Sequence, residues 1–435
     1  MRRIALATAL CLMVPAIALV SSANAAPSVR ITNQVLRSFD GTRLATTLFT
    51  PRAASPSHRV PIVLRGSGWT APRATGDSGT IHALVDAGFA VLTWDPRGFG
   101  GSTGATSVDA LDREARDVSA LVDWAARQPF VATQRPGDPV VGMSGPSYGG
   151  AIQLAAAAVD HRIDAIAPEI TWFDLRDSLF PNGVAKRGGW AEWLFASGFA
   201  DRREDDAWLL ARSLAGYGDA HPIAAPTLLV QGIEDELFDL NEAARTLAYL
   251  DAHHVPHRFV AFCGGHGTCA HPGDDRTHLD RALVAWFDRW LRGNTRADVG
   301  PAAEYRTNDG RWRALDAFPP TDTAPHYALA TGTTPLTATV LGASGDAVGL
   351  PHASIDTPPT AAGATLFLEL VDREAGEVLG NQSRPVRVTS THLEVELVGV
   401  AHALASGHHL DVRVTSDRPV VGLSVVVAVP VRDAA

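Results

Sequence analysis

The feature that most constrains this chain is a serine between two glycines directly after an apolar run. Residues 139–143 form the run, and Gly145-Pro146-Ser147-Tyr148-Gly149 follow it. A strand that passes through a Gly-x-Ser-x-Gly turn into a helix holds its serine on a sharp, strained bend. Side chains two residues to either side of the serine would collide there, so glycine is required at both positions. The small, helix-prone residues 150–158 predict that a helix begins directly after the serine.

The carboxylate that such a serine requires is predicted at a second strand end. A serine hydroxyl is activated by a histidine that takes its proton, and a carboxylate keeps that histidine in the correct tautomer. Residues 226–232 form a short apolar run typical of a buried strand, and Asp235 comes just past its end. Glu234, Glu236 and Asp239 lie nearby and are the alternatives. We expect Asp235 to be the acid because of its position after the strand.

The histidine is predicted in a glycine-rich loop after a third strand. Residues 257–262 have a strand-like composition, and His266 follows them between Gly265 and Gly267. A histidine chosen at random is usually a surface or structural residue. The competing histidines are His253, His254, His257, His271 and His278. His266 is favoured because its place after the last sheet strand suits a general base.

The pattern along the chain after residue 25 predicts an α/β fold. Antiparallel entry strands come first, and strands and helical segments then alternate up to a helix predicted over residues 274–292. This alternation indicates a mostly parallel, doubly wound sheet with helices on both faces. A serine at a strand-to-helix turn, followed in the chain by an aspartate and a histidine, is typical of the α/β-hydrolase fold. We predict this fold for residues 26–298, with a short helical lid over about residues 169–221.

Two further groups of residues are predicted to complete the site. The oxyanion formed in acyl transfer needs N–H donors, and the residue after the nucleophile, Tyr148, supplies one from its backbone. The loop after the strand at residues 61–65 is predicted to supply the second, from Gly68 or Trp69. Aromatic residues of the lid are predicted to form an apolar substrate pocket, and these are Trp172, Phe173, Trp190 and Trp193.

The N-terminus has the features of a secretory signal peptide. Arg2 and Arg3 precede an apolar run over residues 4–20, and an Ala-x-Ala cleavage pattern ends at Ala25. We expect residues 1–25 to be removed and the mature protein to be secreted, extracellular or periplasmic, without a membrane anchor. Removal takes away two arginines and no acidic residue, which changes the formal charge from −10 to −12. An acidic surface argues against nucleic acid as a partner.

The pattern changes from about residue 299, where short alternating runs separated by proline and glycine replace the helical segments. Alternation with a period of two and turn residues between the runs predicts antiparallel strands. Residues 392–397, 409–414 and 423–429 are examples. We therefore predict that residues 299–435 form an all-β, jelly-roll-like sandwich.

Two cysteines remain after processing, Cys263 and Cys269, and they lie on either side of His266. In an oxidising compartment, thiols this close in sequence are predicted to form a disulfide that holds the histidine loop. A metal site built from Cys263, Cys269, His266 and His271 is the alternative. We expect no metal and no cofactor, because the serine chemistry already employs His266.

Five short motifs occur along the chain, and one of them contains the serine of the turn. They are FDGT at residues 39–42, TWDPRGFGGS at 93–102, SYGG at 147–150, QGIEDELF at 231–238 and GHG at 265–267. Together they resemble the Xaa-Pro dipeptidyl-peptidase and cocaine-esterase family of α/β-hydrolases, and the likeness continues weakly into the sandwich at residues 311–312 and 407–410. The resemblance implies cleavage of an ester or peptide bond by a serine nucleophile. In such relatives a tyrosine after the first central strand can donate to the oxyanion, whereas this chain has Ser67, Gly68 and Trp69 there.

Two substrate classes are compatible with these residues. An esterase needs only the apolar pocket, whereas a dipeptidyl-peptidase must also bind the N-terminal ammonium of its substrate with carboxylates. The lid carboxylates available for that purpose are Asp174, Asp177, Glu192 and Asp201. We predict a secreted serine hydrolase acting on small ester or peptide substrates, and we favour the broader acyl-hydrolase interpretation. A noncatalytic protein that binds cell wall or carbohydrate through the sandwich is a third interpretation.

Overall fold

The computed structural model describes residues 29–187, 189–199, 206–266, 275–342 and 344–432. The predicted signal peptide lies outside these ranges, as do Asp201, Cys269 and His271. The described chain builds one large mixed sheet flanked by helices, followed by a β-sandwich. The predicted fold class is therefore confirmed.

The large sheet is mostly parallel. Its strands are β1 (Val29–Arg37), β2 (Arg43–Pro51), β3 (Ile62–Arg65), β4 (Ala90–Trp94), β7 (Val141–Pro146), β8 (Ile163–Glu169), β9 (Thr227–Gly232), β10 (His257–Phe262), β11 (Ala303–Arg306) and β12 (Trp312–Leu315), and a small separate hairpin joins β5 (Thr133–Arg135) to β6 (Asp138–Pro139). The spatial order is β1-β2-β4-β3-β7-β8-β9-β10-β11-β12. All neighbours from β4 to β11 are parallel, whereas β1, β2 and β12 pair antiparallel at the two edges. The central strands β7 to β10 are the ones whose carboxyl ends carry Ser147, Asp235 and His266.

Helices cover both faces of this sheet. Those of the described chain are α1 (Gly79–Asp86), α2 (Glu114–Ala126), α3 (Tyr148–Val159), α4 (Leu175–Leu179), α5 (Gly189–Ala196), α6 (Asp206–Leu210), α7 (Leu214–Tyr217), α8 (Leu240–Ala252) and α9 (Asp275–Leu291). Helices α2 and α3 pack through residues such as Leu121 and Leu154 in one apolar core. Helices α1 and α9 pack in another, through Leu84 and Phe287. Because both faces of the central strands are buried, these strands read as nearly continuous apolar runs.

The predicted lid is present as four short helices, α4 to α7, between β8 and β9. Its apolar side chains, among them Trp172, form a separate core with residues of the hydrolase body. Those residues include Trp69, Tyr148 and Phe238. The lid is therefore packed against the side of the sheet that carries Ser147.

The C-terminal region forms two antiparallel sheets that pack face to face. Their strands are β13 (Ala324–Thr333), β14 (Leu336–Leu341), β15 (Gly345–Gly349), β16 (His352–Asp356), β17 (Thr365–Asp372), β18 (Glu377–Val378), β19 (Arg384–Arg387), β20 (His392–Glu396), β21 (Val400–Leu404), β22 (Leu410–Ser416) and β23 (Val421–Arg432). Alternate residues of β23, such as Val425 and Val427, face a core that also contains Leu366 and Leu368 of β17. The alternating runs seen in the sequence are thus strands with one buried face.

The predicted boundary between the two regions, at residues 298 and 299, is too early. Strand β11 pairs in parallel with β10, with Phe259 opposite Ala303, and β12 adds to β11. The large sheet therefore takes in residues up to Leu315, and the sandwich begins with β13. Within the described residues, no helix is both long enough and apolar enough to cross a bilayer.

Candidate active site

Ser147 occupies the turn between β7 and α3 with an unusual backbone conformation. Its φ is 57° and its ψ is −118°, a region that residues other than glycine rarely adopt. The turn is held by hydrogen bonds: the Ser147 N–H donates to the Glu169 carbonyl at 2.8 Å, and the Thr171 hydroxyl donates to the Ser147 carbonyl at 3.1 Å. The serine side chain is thereby presented at the carboxyl edge of the sheet, as the sequence pattern predicts.

The glycines of the turn are required by close contact with the loop after β3. A Cβ added to Gly149 would lie 2.6 Å from the Gly66 carbonyl oxygen, and one added to Gly145 would lie 2.6 Å from the same atom. Gly145 also has a φ of 147°, which favours glycine. The absence of side chains lets the two backbones touch, so that the loop carrying Gly68 and Trp69 lies directly beside Ser147.

His266 contacts both of its predicted partners. Its Nε2 lies 2.9 Å from the Ser147 Oγ, and its Nδ1 lies 3.0 Å from Oδ2 and 3.2 Å from Oδ1 of Asp235. A carboxylate only accepts hydrogen bonds, so the proton belongs on Nδ1. The Nε2 is then the acceptor for the serine hydroxyl. The structure thus brings together three side chains that lie far apart in the sequence.

Asp235 is fully buried, and its carboxylate is braced from several directions. The backbone N–H groups of Leu237 and Phe238 donate to its Oδ1 at 2.9 and 3.0 Å, and the Gln231 amide donates to its Oδ2 at 3.1 Å. The side chain of Gln382, in the sandwich, donates to the Asp235 backbone carbonyl at 3.0 Å. These contacts hold the Asp235 carboxylate and its loop in place beside the imidazole. Neither Gln231 nor Gln382 was predicted as a site residue.

Three described alternatives for the acid and the base, Asp239, His257 and His278, are engaged elsewhere. Asp239 accepts a hydrogen bond from the Asn241 backbone N–H and caps α8. His257 is engaged with the Val255 carbonyl through its Nδ1, and His278 contacts Glu304. Among the described candidates, the contacts at Ser147 and Asp235 belong to His266.

The predicted oxyanion donors lie around the serine. Tyr148 is the first residue of α3, where the backbone N–H has no acceptor within the helix and is free to donate elsewhere. Trp69 is buried, and its indole N–H donates to the Ser197 hydroxyl of the lid at 2.9 Å. Its ring also meets the Tyr148 ring edge-on, with centroids 5.3 Å apart. The Trp69 side chain is therefore used to attach the lid, which leaves backbone N–H groups of the loop as the candidate second donor.

Aromatic rings surround the imidazole, although not all of those predicted. The Trp190 ring centroid lies 5.4 Å from that of His266, and Trp193 stacks edge-on against Trp190 at 5.6 Å. Phe238, which was not predicted, lies 5.2 Å from His266. Trp172 is buried in the lid core against Phe238, at 5.1 Å.

The prediction for Phe173 is wrong. Its side chain is directed away from the lid core and packs on the hydrolase body beside Tyr249, with ring centroids 6.4 Å apart. Trp172 and Phe173 are adjacent in the chain but belong to different cores.

Most of the described lid carboxylates proposed for ammonium binding form ion pairs with arginines. Asp174 pairs with Arg176 at 2.6 Å, and Asp177 pairs with Arg245 at 2.7 Å and with Arg384 at 2.8 Å. Glu192 also has an interaction partner. A carboxylate already neutralised by a guanidinium offers little attraction to a substrate cation.

One cluster in the described chain has the composition of a metal site, but it lies in the sandwich. Asp372, Glu374 and His408 place ligand atoms within 4.8 Å of one another. The His408 Nδ1 donates to Asp372 at 2.9 Å, and this contact raises the pKa of His408. Glu374 accepts a hydrogen bond from the His409 backbone N–H. These groups satisfy one another as an ion-pair network. The alternative metal site at the histidine loop includes Cys269 and His271, which lie outside the described residues.

The fold is that of the α/β-hydrolases, and at the carboxyl edge of its sheet a serine, a histidine and a buried carboxylate are in contact. Residues 40–209 match the family model of the X-Pro dipeptidyl-peptidase (S15 family), which confirms the resemblance seen in the sequence. Among proteins known from sequence, an uncharacterized 31.7 kDa protein of Escherichia coli is 33% identical over 93 residues, which are 21% of this chain and 31% of that protein. A protein of Mycobacterium tuberculosis named as a serine esterase is 28% identical over 164 residues, which are 33% of this chain and 25% of that protein. The matched region thus spans a third or less of these relatives.

Solved structures share the fold over nearly the whole chain. The aminopeptidase from a marine sediment Thaumarchaeota archaeon superposes with a TM-score of 0.67 at 14% identity, covering 93% of this chain and 96% of its own. An α-amino acid ester hydrolase superposes with a TM-score of 0.66 at 15% identity, covering 97% and 100%. The combination of a hydrolase domain and a β-sandwich is therefore found in other proteins of known structure.

Proposed function

We propose that the protein is a secreted serine hydrolase that cleaves ester or amide bonds of acyl compounds through Ser147, His266 and Asp235. The observation that carries this proposal is the continuous chain of contacts from the Ser147 hydroxyl through the imidazole to a buried carboxylate. This arrangement is the one that makes a serine hydroxyl nucleophilic at neutral pH.

The reaction follows from the positions of these groups. As the Ser147 Oγ attacks the carbonyl carbon, its proton passes to the His266 Nε2, and the imidazolium is stabilised by Asp235. The carbonyl oxygen gains negative charge and accepts hydrogen bonds from the Tyr148 backbone N–H and from the loop at Gly68 and Trp69. The imidazolium then protonates the leaving alcohol or amine, and an acyl-enzyme remains. Water, deprotonated by His266, hydrolyses the acyl-enzyme and regenerates the serine.

The surroundings of the imidazole favour an ester of apolar acyl groups as substrate. Trp190, Trp193 and Phe238 offer aromatic surface beside His266. Apolar rings bind an acyl chain or aromatic group by burial of apolar surface. The arginine partners of Asp174 and Asp177 leave those carboxylates unsuited to an ammonium group.

An Xaa-Pro-type dipeptidyl-peptidase is the second candidate. The family match over residues 40–209 favours it, and so does Glu236, which follows the acid in the chain. The Glu236 carboxyl lies beside Gly265 of the histidine loop and has no ion-pair partner among the described residues. It is therefore the carboxylate in this part of the site best placed to attract a substrate ammonium.

A side-by-side assay separates the two candidates. We expect the purified protein to hydrolyse p-nitrophenyl acyl esters, with kcat/KM rising by roughly tenfold for every two methylenes added to the acyl chain while the pocket is filled. We expect weaker or no turnover of Gly-Pro and Ala-Pro p-nitroanilides. Turnover confined to the anilides, and lost in Glu236→Gln, would establish the peptidase instead. Turnover of neither substrate would support the noncatalytic wall- or carbohydrate-binding interpretation.

We further propose that the secreted form starts after Ala25 and carries a disulfide between Cys263 and Cys269. The apolar leader and the Ala-x-Ala pattern support secretion, and an oxidising compartment favours a disulfide between thiols so close in sequence. Intact mass of the protein recovered from the medium of an expressing host checks both points. The expected mass lacks residues 1–25 and is about 2 Da below that of the reduced chain, since a disulfide loses two hydrogens. A cell-retained full-length chain, or a mass unchanged by reduction, contradicts the corresponding point.

A further inference from the structure

Asp109 is a buried carboxyl group located directly behind the nucleophile turn. It lies in the loop between β4 and α2 and is 2% exposed. No described group reaches either of its oxygens in good hydrogen-bond geometry, and the Tyr148 phenol interacts with it only weakly, which partly offsets the rise of its pKa. Buried carboxyl groups are almost always well paired, so a poorly paired one next to an active site calls for a specific role.

The loop that carries Asp109 is strained. Val108 and Asp109 have φ values of 57° and 54°, and a branched side chain such as valine is rarely found there. The loop is fastened on both sides: the Arg212 Nε of the lid donates to the Ser107 carbonyl at 2.8 Å, and the Thr106 hydroxyl lies 3.1 Å from the Tyr148 hydroxyl. Strain of this kind is retained where the surrounding structure enforces it, and such places cluster at functional sites.

A small cavity lies between Asp109 and the loop after β3, lined by polar side chains together with the apolar Trp94, Pro96 and Ile152, and we call it the elbow cavity. Its lining includes Ser67, Asp109, Glu114, Asp117 and Tyr148. Its volume, about 10 Å³ for the centre of a water molecule, leaves room for one water. The Ser67 hydroxyl is also buried without a hydrogen-bond partner. Three unpartnered polar atoms around one water-sized cavity are what an internal water needs.

The neighbouring charges decide which carboxyl group holds a proton. Glu114 accepts hydrogen bonds from the Ser107 and Ala110 backbone N–H groups, and Asp117 is paired with the Arg97 guanidinium. Asp109 lacks backbone donors and faces Glu114 and the Tyr148 phenol, with the Tyr217 phenol near by. Burial, followed by repulsion from Glu114, raises the pKa of Asp109 well above its ordinary range. Burial raises the pKa of Glu114 as well, but the backbone N–H groups of Ser107 and Ala110 oppose that rise. The backbone donors of Glu114 therefore favour the negative charge on Glu114 and the proton on Asp109.

We propose that Asp109 is a positioning residue for the oxyanion hole. As a neutral carboxylic acid, Asp109 holds Tyr148 and the loop at Ser67 in fixed relative positions through one water in the elbow cavity. The proposal rests on the proposed function in that it assigns the Tyr148 backbone N–H to the oxyanion. Asp109 interacts with the phenol of Tyr148 and lines the same cavity, and the loop after β3 touches Gly149 backbone to backbone. A shift of either element changes the distance between the two N–H donors, and displacements of about 1 Å can cost up to about 100-fold in rate.

The first test compares kcat and KM on a p-nitrophenyl ester for four single variants and one double variant. We expect Asp109→Asn, which keeps the shape of the neutral acid, to stay within about threefold of the parent enzyme, whereas Asp109→Ala lowers kcat by roughly 10- to 100-fold with KM nearly unchanged. Asp112→Asn is the matched control, because this neighbouring carboxylate is exposed. Ser67→Ala should lower kcat as well, and its combination with Asp109→Ala should lower kcat no further than the larger single effect. Equal losses in Asp109→Asn and Asp109→Ala, or fully additive effects of the pair, would refute the proposal.

The second test is independent of turnover and uses thermal unfolding between pH 5 and pH 9. A carboxyl group whose pKa is raised in the folded state binds more protons there than in the unfolded chain, so its contribution to stability falls as pH rises above the ordinary aspartate pKa. The asparagine of Asp109→Asn cannot ionise. The Tm of that variant, relative to the Tm of the parent enzyme, should therefore rise as pH increases. A Tm difference that stays constant with pH would show that Asp109 is ionised in the fold. If the parent enzyme proved inactive, the proposed function would fail while this measurement still decided the state of Asp109.

Discussion

Replacing Ser147 by alanine is expected to abolish turnover while leaving the fold intact. In serine hydrolases, loss of the nucleophile lowers kcat by about 10⁵- to 10⁶-fold, because the remaining donors bind the transition state without forming an acyl-enzyme. The Ser147 Oγ contacts His266, whereas the turn itself is held by backbone hydrogen bonds to Glu169 and within α3. Steady-state hydrolysis of a p-nitrophenyl ester measures the loss. The Tm should remain equal to that of the parent enzyme or rise slightly, since the strained site loses only one hydroxyl.

Ser144→Ala provides the matched control for this experiment. Ser144 lies in β7, three residues before Ser147, but its hydroxyl accepts a hydrogen bond from the Arg65 guanidinium. We expect this variant to retain turnover within a fewfold of the parent rate. Substantial activity in Ser147→Ala, after contaminating esterases are excluded by a mock purification, would show that the nucleophile lies elsewhere.

Replacing Asp235 by asparagine is expected to lower kcat by about 10⁴-fold with little change in KM. The amide group presents N–H toward the His266 Nδ1, which favours the tautomer with the proton on Nε2. That tautomer has no lone pair for the proton of Ser147. The amide oxygen can still accept the backbone N–H groups of Leu237 and Phe238, so the loop keeps its shape. The kcat and KM of the purified variant, measured across pH, check the result.

An exposed histidine–aspartate pair in the sandwich supplies a control for the Asp235→Asn substitution. His392 contacts Asp356 through its Nδ1 at 2.8 Å, the same kind of contact on the protein surface. Asp356→Asn should leave turnover unchanged. If Asp235→Asn retained more than about a tenth of the parent kcat, another carboxylate, such as Glu234 or Glu236, would have to be the partner of the imidazole.

The proximity of Ser147, Asp235 and His266 was predictable because each follows a strand of one parallel sheet. Parallel strands end at the same edge, so residues just past the ends of β7, β9 and β10 must meet there. The glycines at 145 and 149 were predictable for a similar reason, since a tight turn excludes side chains at both positions. The positions of these side chains and glycines depend on local sequence patterns and on the strand topology that those patterns indicate.

The features missed by the sequence prediction depend on contacts between distant segments. No local signal indicates that Gln382 of the sandwich reaches Asp235, or that β11 adds to the large sheet before the sandwich begins. Phe238 could have been predicted as a site residue, because it lies in the same loop as Asp235 and its backbone N–H donates to the Asp235 carboxylate. Phe173 was misplaced because an irregular segment has no period from which to decide which face a side chain takes. Asp109 carries no sequence signal, because burial without a partner is visible only in the folded chain.

The central claim is that Ser147 is the nucleophile, and covalent labelling followed by peptide mass spectrometry tests it most directly. The parent enzyme is incubated with an alkyl fluorophosphonate, digested, and searched for the modified residue. We expect one equivalent of label on Ser147, loss of activity in proportion to labelling, and no label in Ser147→Ala. An enzyme that hydrolyses esters but carries its label on another residue, or none at all, would contradict the account.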